Sequence, residues 1–226
     1  MSCRILVLIS GSGTNLQALI DSLRARPTEG QIVAVVCNRP GALGIERARN
    51  ANIPAVTLDH KDYPDRETYD QALMEQIDHF EPDLILLAGF MRILTEKFVS
   101  HYRGLLLNIH PSLLPKHKGL HTHQRVLDAG EGEHGSTVHF VTLELDGGPL
   151  IVRARIPVLA GDTPASLAAR VQEQEHHLYP LAMHWFVQGR LRLIDDQACL
   201  DGSVIPPEGL KLEDFNNDLR EDSYAS

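Results

Sequence analysis

The sequence predicts an α/β protein with one main domain, built on an open, mostly parallel twisted sheet with an antiparallel addition toward the C-terminus. In the first half of the chain, strand-like apolar runs alternate with helix-like segments, an order typical of parallel sheets with crossover helices. Around residues 137–157 the side chains alternate on either side of an Asp-Gly-Gly-Pro turn, which indicates a β-hairpin. A long, well-capped helix follows the hairpin.

The parallel part is predicted to contain five strands and four helices. The strands are expected at residues 5–9, 32–37, 55–58, 84–88 and 105–109. The helices are expected at residues 16–26, 44–52, 66–80 and 95–102.

The remainder of the chain is predicted to hold two antiparallel strands, one helix and a tail. The strands cover residues 137–143 and 150–157, and Asp146 lies in the turn that joins them. Thr163 is a good N-cap with Pro164 at the first helical position, so a helix is expected to run to about residue 187. We expect the domain to span residues 1–205, and residues 206–226 to form an acidic, poorly ordered tail.

Composition favours a cytoplasmic protein that acts on small molecules. A formal charge of −9 argues against a nucleic-acid-binding surface, and no apolar run is long enough to cross a membrane. Cys3, Cys37 and Cys199 are an odd count at unrelated spacings, which is typical of reduced thiols. Because the first residues lead into a strand with no cleavage site, export is not expected.

The strongest chemical signal is Asn108-Ile109-His110, together with Asp146. Formyl or acyl transfer between nitrogens needs a donor for the developing oxyanion, a proton shuttle and a carboxylate that sets the state of that shuttle. Asn108 and His110 share one face of a strand, at the carboxyl end where open α/β sheets bind their ligands. Taken alone, the triplet also fits a capped strand end with a satisfied histidine.

The segment Ser10-Gly11-Ser12-Gly13-Thr14-Asn15 follows the first strand and precedes a helix. Glycines in that position let backbone amides hold a phosphate. The dinucleotide fingerprint is excluded because Leu16 stands where its third glycine belongs, and the lysine of a P-loop is missing. The alternative is a plain turn with Thr14 or Asn15 as the helix cap.

Two further segments are ambiguous. The run Gly89–Leu94 follows the fourth strand and could present apolar side chains to a flat ligand, or could simply cover the core. His121 and His123 are spaced like some zinc ligands, but the spacing is unspecific and no standard set of partners lies near, so no metal is expected.

The motifs occur together, in one order, in a known family. Over residues 4–205 the chain resembles the folate-dependent glycinamide ribonucleotide formyltransferases of purine synthesis, which have a Rossmann-like formyltransferase fold. The resemblance is carried by five stretches: Ile9-Ser10-Gly11-Ser12-Gly13-Thr14-Asn15-Leu16-Gln17, Ala88-Gly89-Phe90-Met91-Arg92-Ile93-Leu94, Leu107-Asn108-Ile109-His110-Pro111-Ser112-Leu113-Leu114-Pro115, Gly119-Leu120-His121-Thr122-His123, and Gly135-Ser136-Thr137-Val138-His139-Phe140-Val141 running into Asp146-Gly147-Gly148-Pro149.

The resemblance implies a role for individual residues. Asn108, His110 and Asp146 match the catalytic trio, with Asp146 expected to favour the protonated form of His110. The nucleotide would be bound by Gly13, Thr14, Asn15 and Glu175. The co-substrate 10-formyltetrahydrofolate would be bound by Arg66, Met91, Arg92, Ile93, Leu94 and Asn108, with residues 142–146 as one wall of its pterin pocket. Departures from the family pattern are Thr14, the pair His117-Lys118 and the acidic tail.

The implied reaction is direct formyl transfer to the amine of glycinamide ribonucleotide, without a covalent enzyme intermediate. One rival is methionyl-tRNA formyltransferase, which shares the trio but needs an RNA-binding domain. A second is formyl-folate hydrolase, which carries an N-terminal regulatory domain. A third is a nucleotide-binding module with no catalytic activity. The sequence leaves a monomer and a homodimer open.

Overall fold

A computed structural model describes residues 2–215. The polypeptide divides between Asn108 and Ile109 into two compact units. The boundary falls inside the strand that carries Asn108 and His110. The sequence analysis predicted one domain over residues 1–205 and did not predict this division.

The first unit is built on a parallel sheet. In chain order its strands are β1 (Cys3–Ile9), β2 (Gly30–Cys37), β3 (Ala55–Thr57), β4 (Leu84–Leu87) and the first residues of β5 (Leu106–His110). Their spatial order is β5-β4-β1-β2-β3, and each neighbouring pair is parallel. Residues 5–9 are fully buried, as expected for a central strand covered on both faces. All five predicted strands of the parallel part are therefore confirmed.

Four helices connect these strands, as predicted: α1 (Thr14–Ala25), α2 (Leu43–Asn50), α3 (Arg66–Asp78) and α4 (Glu96–His101). Side chains cap two of them, because the Asp65 carboxylate accepts from the Thr68 amide at 2.8 Å and the Thr95 hydroxyl accepts from the Phe98 amide at 3.3 Å. One 3-10 turn, His60–Asp62, was not predicted.

The second unit contains an antiparallel pair and a long helix. After α5 (Thr122–Asp128), β6 (Glu133–Phe140) pairs antiparallel with β7 (Leu150–Pro157), and α6 (Pro164–Val187) follows. Thr163 and Ser166 cap α6 reciprocally, as the Thr-Pro signal indicated. The predicted strand at 137–143 is displaced, since pairing with β7 carries β6 back through polar residues 133–136, and residues 141–143 belong to the connecting loop.

Short strands that were not predicted complete the second unit. Strands β8 (Leu191–Ile194), β9 (Gln197–Leu200) and β10 (Ser203–Val204) form a separate antiparallel sheet, in addition to the predicted antiparallel pair of β6 and β7. Strand β11 (Leu210–Lys211) lies parallel to β7, and a 3-10 turn, Leu212–Phe215, follows.

The structure gives residues 206–215 more order than the acidic composition suggested. Leu212 is buried, and the Phe215 ring meets the ring of buried Trp185 edge-on at 4.8 Å between centroids. The rest of the predicted tail, residues 216–226, lies outside the described residues. Within residues 2–215, no helix has the length and apolar content needed to span a bilayer.

Candidate active site

His110 lies at the end of β5 and is held between two oxygen atoms. Its Nε2 lies 3.0 Å from the His117 carbonyl oxygen, and its Nδ1 lies 3.4 Å from Asp146 Oδ2. A carbonyl oxygen and an ionised carboxylate oxygen only accept hydrogen bonds, so both suit a ring N–H. The ring and the carboxylate are almost fully buried, which strengthens their attraction. Each ring nitrogen of His110 therefore lies beside an oxygen atom that can accept from a ring N–H.

Asp146 reaches this position because the β6–β7 connection folds back sharply. Its backbone is left-handed, with φ of 48°, and its Oδ2 accepts from the Gly119 amide at 2.8 Å. Two residues later, Gly148 packs so tightly on the Phe140 carbonyl that a side chain would overlap it. The predicted pairing of Asp146 with His110 is thus seen in the structure.

His139 is a second histidine near Asp146 that the sequence reasoning quoted but did not assign. It is 2 % exposed, and its Nε2 lies 3.8 Å from Asp146 Oδ1. Its Nδ1 lies 2.8 Å from the Phe140 carbonyl oxygen, so Nδ1 must be the donor. Burial lowers the pKa of His139, although Asp146 opposes that effect. Asp146 is therefore flanked by two histidines, and burial favours the neutral form of one of them, His139.

Glu175 lies on α6 and is 7 % exposed. The Ser136 hydroxyl lies 2.9 Å from Glu175 Oε1 and 2.8 Å from the His110 carbonyl oxygen. Glu175 is therefore connected through one side chain to the backbone of the candidate catalytic histidine. Asn108, the other predicted member of the trio, is half-buried and lies two residues before His110 on the same strand.

The segment after β5 is anchored by charged side chains. Glu131 accepts from Lys116 Nζ at 2.9 Å and lies 2.8 Å from His117 Nε2, while Lys118 Nζ donates to Glu144 at 2.6 Å. These contacts include His117 and Lys118, the pair in which the sequence departs from the family pattern. They hold the segment that supplies both the His117 carbonyl and the Gly119 amide.

The glycine-rich loop in the first unit leads directly into α1. Gly13 is the N-cap residue in a left-handed conformation, and no side chain caps the helix. The alternative of a turn capped by Thr14 or Asn15 is therefore contradicted, because those residues are the first two of the helix itself. A side chain at Gly13 would lie 2.6 Å from the Gly44 Cα atom.

Arg47 adds a cation to this loop that the sequence reasoning missed. Its Nε donates to the Ser12 carbonyl at 2.8 Å. An uncapped helix N-terminus carries partial positive charge, and a guanidinium beside it increases the attraction for an anion. The only signal in the sequence was a cation one turn into the following helix, which is common in proteins.

The loop of residues 88–95 connects β4 to α4 and is exposed at its centre. Met91 and Ile93 are 55 % and 57 % exposed, so the interpretation that they cover the core is wrong. The Met91 amide donates to Ser10 Oγ at 2.8 Å, and Ser10 Oγ donates to Asn38 Oδ1 at 2.5 Å. Arg92 turns inward, with its guanidinium carbon 4.3 Å from the centre of the Tyr69 ring.

Two predicted residues remain at the surface or near it. Arg66 begins α3 and is partly exposed, with Nη2 3.5 Å from Glu67 Oε1. Leu94 is half-buried in the loop. Throughout residues 2–215, the histidine, cysteine and acidic side chains form no group of three or more arranged to hold a metal ion.

Comparison with known proteins agrees with this geometry. Residues 3–183 match the model of the formyl transferase family. The chain is 53% identical to the phosphoribosylglycinamide formyltransferase of Escherichia coli K12 and 45% identical to that of Haemophilus influenzae, in each case over 93% of this chain and 99% of the relative.

A solved structure gives the same result. The phosphoribosylglycinamide formyltransferase of Coxiella burnetii superposes with a TM-score of 0.89 and 48% identity, covering 93% of this chain and 99% of the other. The family match extends over most of the chain, and the relatives match over nearly their whole lengths. The chain belongs to the formyl transferase family.

Proposed function

We propose that the protein transfers the formyl group of 10-formyltetrahydrofolate to the amine of glycinamide ribonucleotide, as a step of purine synthesis. The observation that carries the proposal is the buried 3.4 Å contact between His110 and Asp146, in a chain whose relatives, matched over nearly their whole lengths, are named for this activity. Folate and nucleotide are the two small-molecule substrates, and no resident metal takes part.

The chemistry follows from the properties of the trio. The neutral amine of the nucleotide attacks the formyl carbon, and the carbonyl oxygen becomes an oxyanion. Asn108 donates its amide N–H and protonated His110 its ring N–H to that oxygen, which lowers the barrier because the donors are already oriented. The new C–N bond forms, the bond to the folate nitrogen breaks, and a proton passes from the amine to the departing nitrogen. Asp146 lies 3.4 Å from the ring and stabilises its positive charge in this step.

The phosphate of the nucleotide fits the loop that ends in Gly13. The support is the uncapped N-terminus of α1 together with Arg47, which lies against the loop carbonyl of Ser12. Thr14 and Asn15 supply the first amides of the helix. Glu175, which Ser136 links to the His110 carbonyl, is the fourth residue proposed for the nucleotide.

The folate fits the loop of residues 88–95. Within residues 2–215, the backbone N–H and C=O groups of Arg92, Ile93 and Leu94 make no hydrogen bond. Neighbouring Met91 and Ile93 expose apolar surface. A flat heterocycle with donors and acceptors on its edge would satisfy both features at once. Arg66 would bind the acidic end of the molecule, and residues 142–146 would form a wall of the pterin pocket.

Two rival acceptors remain, the charged initiator tRNA and water. Transfer to methionyl-tRNA needs a basic surface, whereas this chain carries a formal charge of −9. Transfer to water is the hydrolase reaction. The relatives that match over 99% of their length are named phosphoribosylglycinamide formyltransferases, which supports the ribonucleotide as acceptor. Cys3, Cys37 and Cys199 are free thiols, in keeping with a cytoplasmic location.

The test is a single-turnover assay with purified protein and 10-formyltetrahydrofolate. Glycinamide ribonucleotide, charged initiator tRNA or buffer alone is supplied in parallel reactions, and both the deformylated folate and the formylated acceptor are quantified. We expect stoichiometric formyl-glycinamide ribonucleotide and only slow loss of formyl in buffer. Equal rates with and without the ribonucleotide would identify a hydrolase, and preferential labelling of tRNA would identify the other transferase.

A further inference from the structure

Three contacts hold the loop of residues 88–95 against other residues of the first unit. The Met91 amide is bound by Ser10, the Arg92 guanidinium lies on the face of Tyr69, and the Thr95 amide donates to Asp70 Oδ2 at 2.7 Å. Two of these anchors, Tyr69 and Asp70, are adjacent residues of α3 and are 0 % and 1 % exposed. Two of the three anchors of the loop thus come from one short stretch of α3.

The Arg92 side chain is engaged by this stretch rather than by the outer surface. A guanidinium over an aromatic face is attracted by the ring quadrupole, and its planar shape stacks on the ring. The negative charge of Asp70 lies next along α3 and attracts the same cation. Arg92 Nε is buried and has no hydrogen-bond partner within residues 2–215. The cation of Arg92 is therefore directed away from the exposed side of the loop, where Met91 and Ile93 lie.

Asp70 also fixes the end of the loop. Burial raises the pKa of its carboxyl, and the amide and hydroxyl of Thr95 and the positive charge of Arg92 oppose that rise. Thr95 in turn caps α4 through its hydroxyl. Asp70 consequently couples the loop to the start of the next helix, so the loop has little freedom at this end.

We propose that Tyr69 and Asp70 are positioning residues for the formyl-folate, which hold Arg92 and Thr95 inward so that the loop presents its backbone to the ligand. This inference rests on the proposed function of the loop as the folate site. It changes the role expected for Arg92, which contributes to binding by the place of its main chain and not by its charge. Neither Tyr69 nor Asp70 needs to touch the folate.

The test compares four variants by the KM for each substrate, kcat, and the Kd of 10-formyltetrahydrofolate measured by calorimetry. Tyr69→Leu removes the aromatic face, Tyr69→Phe retains it, and Arg92→Lys retains the charge without the planar stack. Tyr102→Leu is the matched control. Tyr102 is also a buried tyrosine of the first unit, but its hydroxyl donates to Asp78, which is outside the loop of residues 88–95. Thermal unfolding monitors the folded fraction of each variant.

We expect Tyr69→Leu and Arg92→Lys to raise both the KM and the Kd for the folate by about 3- to 30-fold, the range that a cation–π contact of this kind supports. The kcat and the nucleotide KM should change less than about twofold, because the substitutions weaken the binding of the folate equally in the ground state and in the transition state. Tyr69→Phe should bind folate like the wild type, and Tyr102→Leu should lower thermal stability without raising the folate KM.

Two results would overturn the proposal. One is a folate Kd in Arg92→Lys equal to the wild-type value with a salt dependence unchanged, since this would show that the charge, not the stack, is what matters. The other is an equal rise of both KM values in Tyr69→Leu. Where Tyr69→Leu fails to fold, Arg92→Lys decides, because it leaves α3 intact. Calorimetric binding separates this proposal from the proposed function, because folate binding is measured with no acceptor present.

Discussion

Replacing Asp146 by Asn removes the charge beside His110 and keeps the shape of the side chain. The amide oxygen of Asn can still accept from the Gly119 amide, so the loop keeps the 2.8 Å contact that holds it. The 3.4 Å ion pair with His110 is lost. The substitution therefore isolates the electrostatic role that the proposed mechanism gives to Asp146.

The size of the effect follows from the geometry. Two unit charges 3.4 Å apart interact by about 5 kcal/mol at an effective dielectric constant of about 20. Each 1.36 kcal/mol is a factor of ten in an equilibrium or a rate, so the pair can account for more than three orders of magnitude. Positioned acid–base groups typically contribute about 10²–10⁴-fold. We expect Asp146→Asn to lower kcat by a factor in that range.

The assay is steady-state formyl transfer, supported by NMR of the His110 ring. The nucleotide KM should change little, because the substitution leaves the loop of Gly13 untouched, and the NMR signals of the His110 ring should shift. Asp128→Asn serves as the control, since Asp128 is an exposed carboxylate of the same unit whose partner is Gln124. A loss of less than tenfold, or an unchanged His110 spectrum, would refute the pairing and leave Asp146 as a turn residue.

Three further outcomes are expected. Gly13→Ala places a methyl group 2.6 Å from Gly44 Cα, at a residue whose φ is 70°. The nucleotide KM should therefore rise by about tenfold or more while the folate KM stays constant. A larger rise in the folate KM than in the nucleotide KM would show that the phosphate binds at another place. Burial lowers the pKa of His134 to about 4, so the native state binds fewer protons than the unfolded state between about pH 6.5 and pH 4. The free energy of unfolding should therefore fall by up to about 3 kcal/mol as the pH falls through this range. Urea titrations at the two pH values should show that His134→Gln makes the free energy of unfolding less dependent on pH. Deleting residues 210–226 removes β11 and the Phe215–Trp185 contact, so Tm should fall by several degrees, whereas deleting residues 216–226 should leave Tm nearly unchanged; equal melting of both truncations would contradict the packing role of Phe215.

The elements that could be predicted from the sequence carry their signal locally. Strand β1 is a run of apolar residues followed by a glycine-rich loop, and the start of α6 is marked by the N-cap residue Thr163 and by Pro164 at the first helical position. Strand β6 begins at Glu133-His134-Gly135-Ser136, which is polar and looks like a loop, because its stability comes from pairing with β7. Strands β8–β11 have two to four residues each, too few for any periodicity to appear.

The candidate site divides in the same way. The pairing of His110 with Asp146 was predicted from residue types and the resemblance, and the structure brings the two together. His139 could not be assigned, because it approaches Asp146 only when the β6–β7 connection folds back. The inward turn of Arg92 was equally hidden, since it depends on a ring from α3. Tertiary contacts of this kind leave no pattern in the neighbouring sequence.

The contact between His110 Nε2 and the His117 carbonyl has a consequence for the timing of the reaction. A proton held at 3.0 Å by one oxygen is not free for another, so the resting enzyme keeps its acid capped by its own main chain. Releasing it costs about 1.5–3 kcal/mol, the contribution of a hydrogen bond to a charged group. In the proposed mechanism, the His117 carbonyl and the developing oxyanion therefore compete for the same N–H of His110.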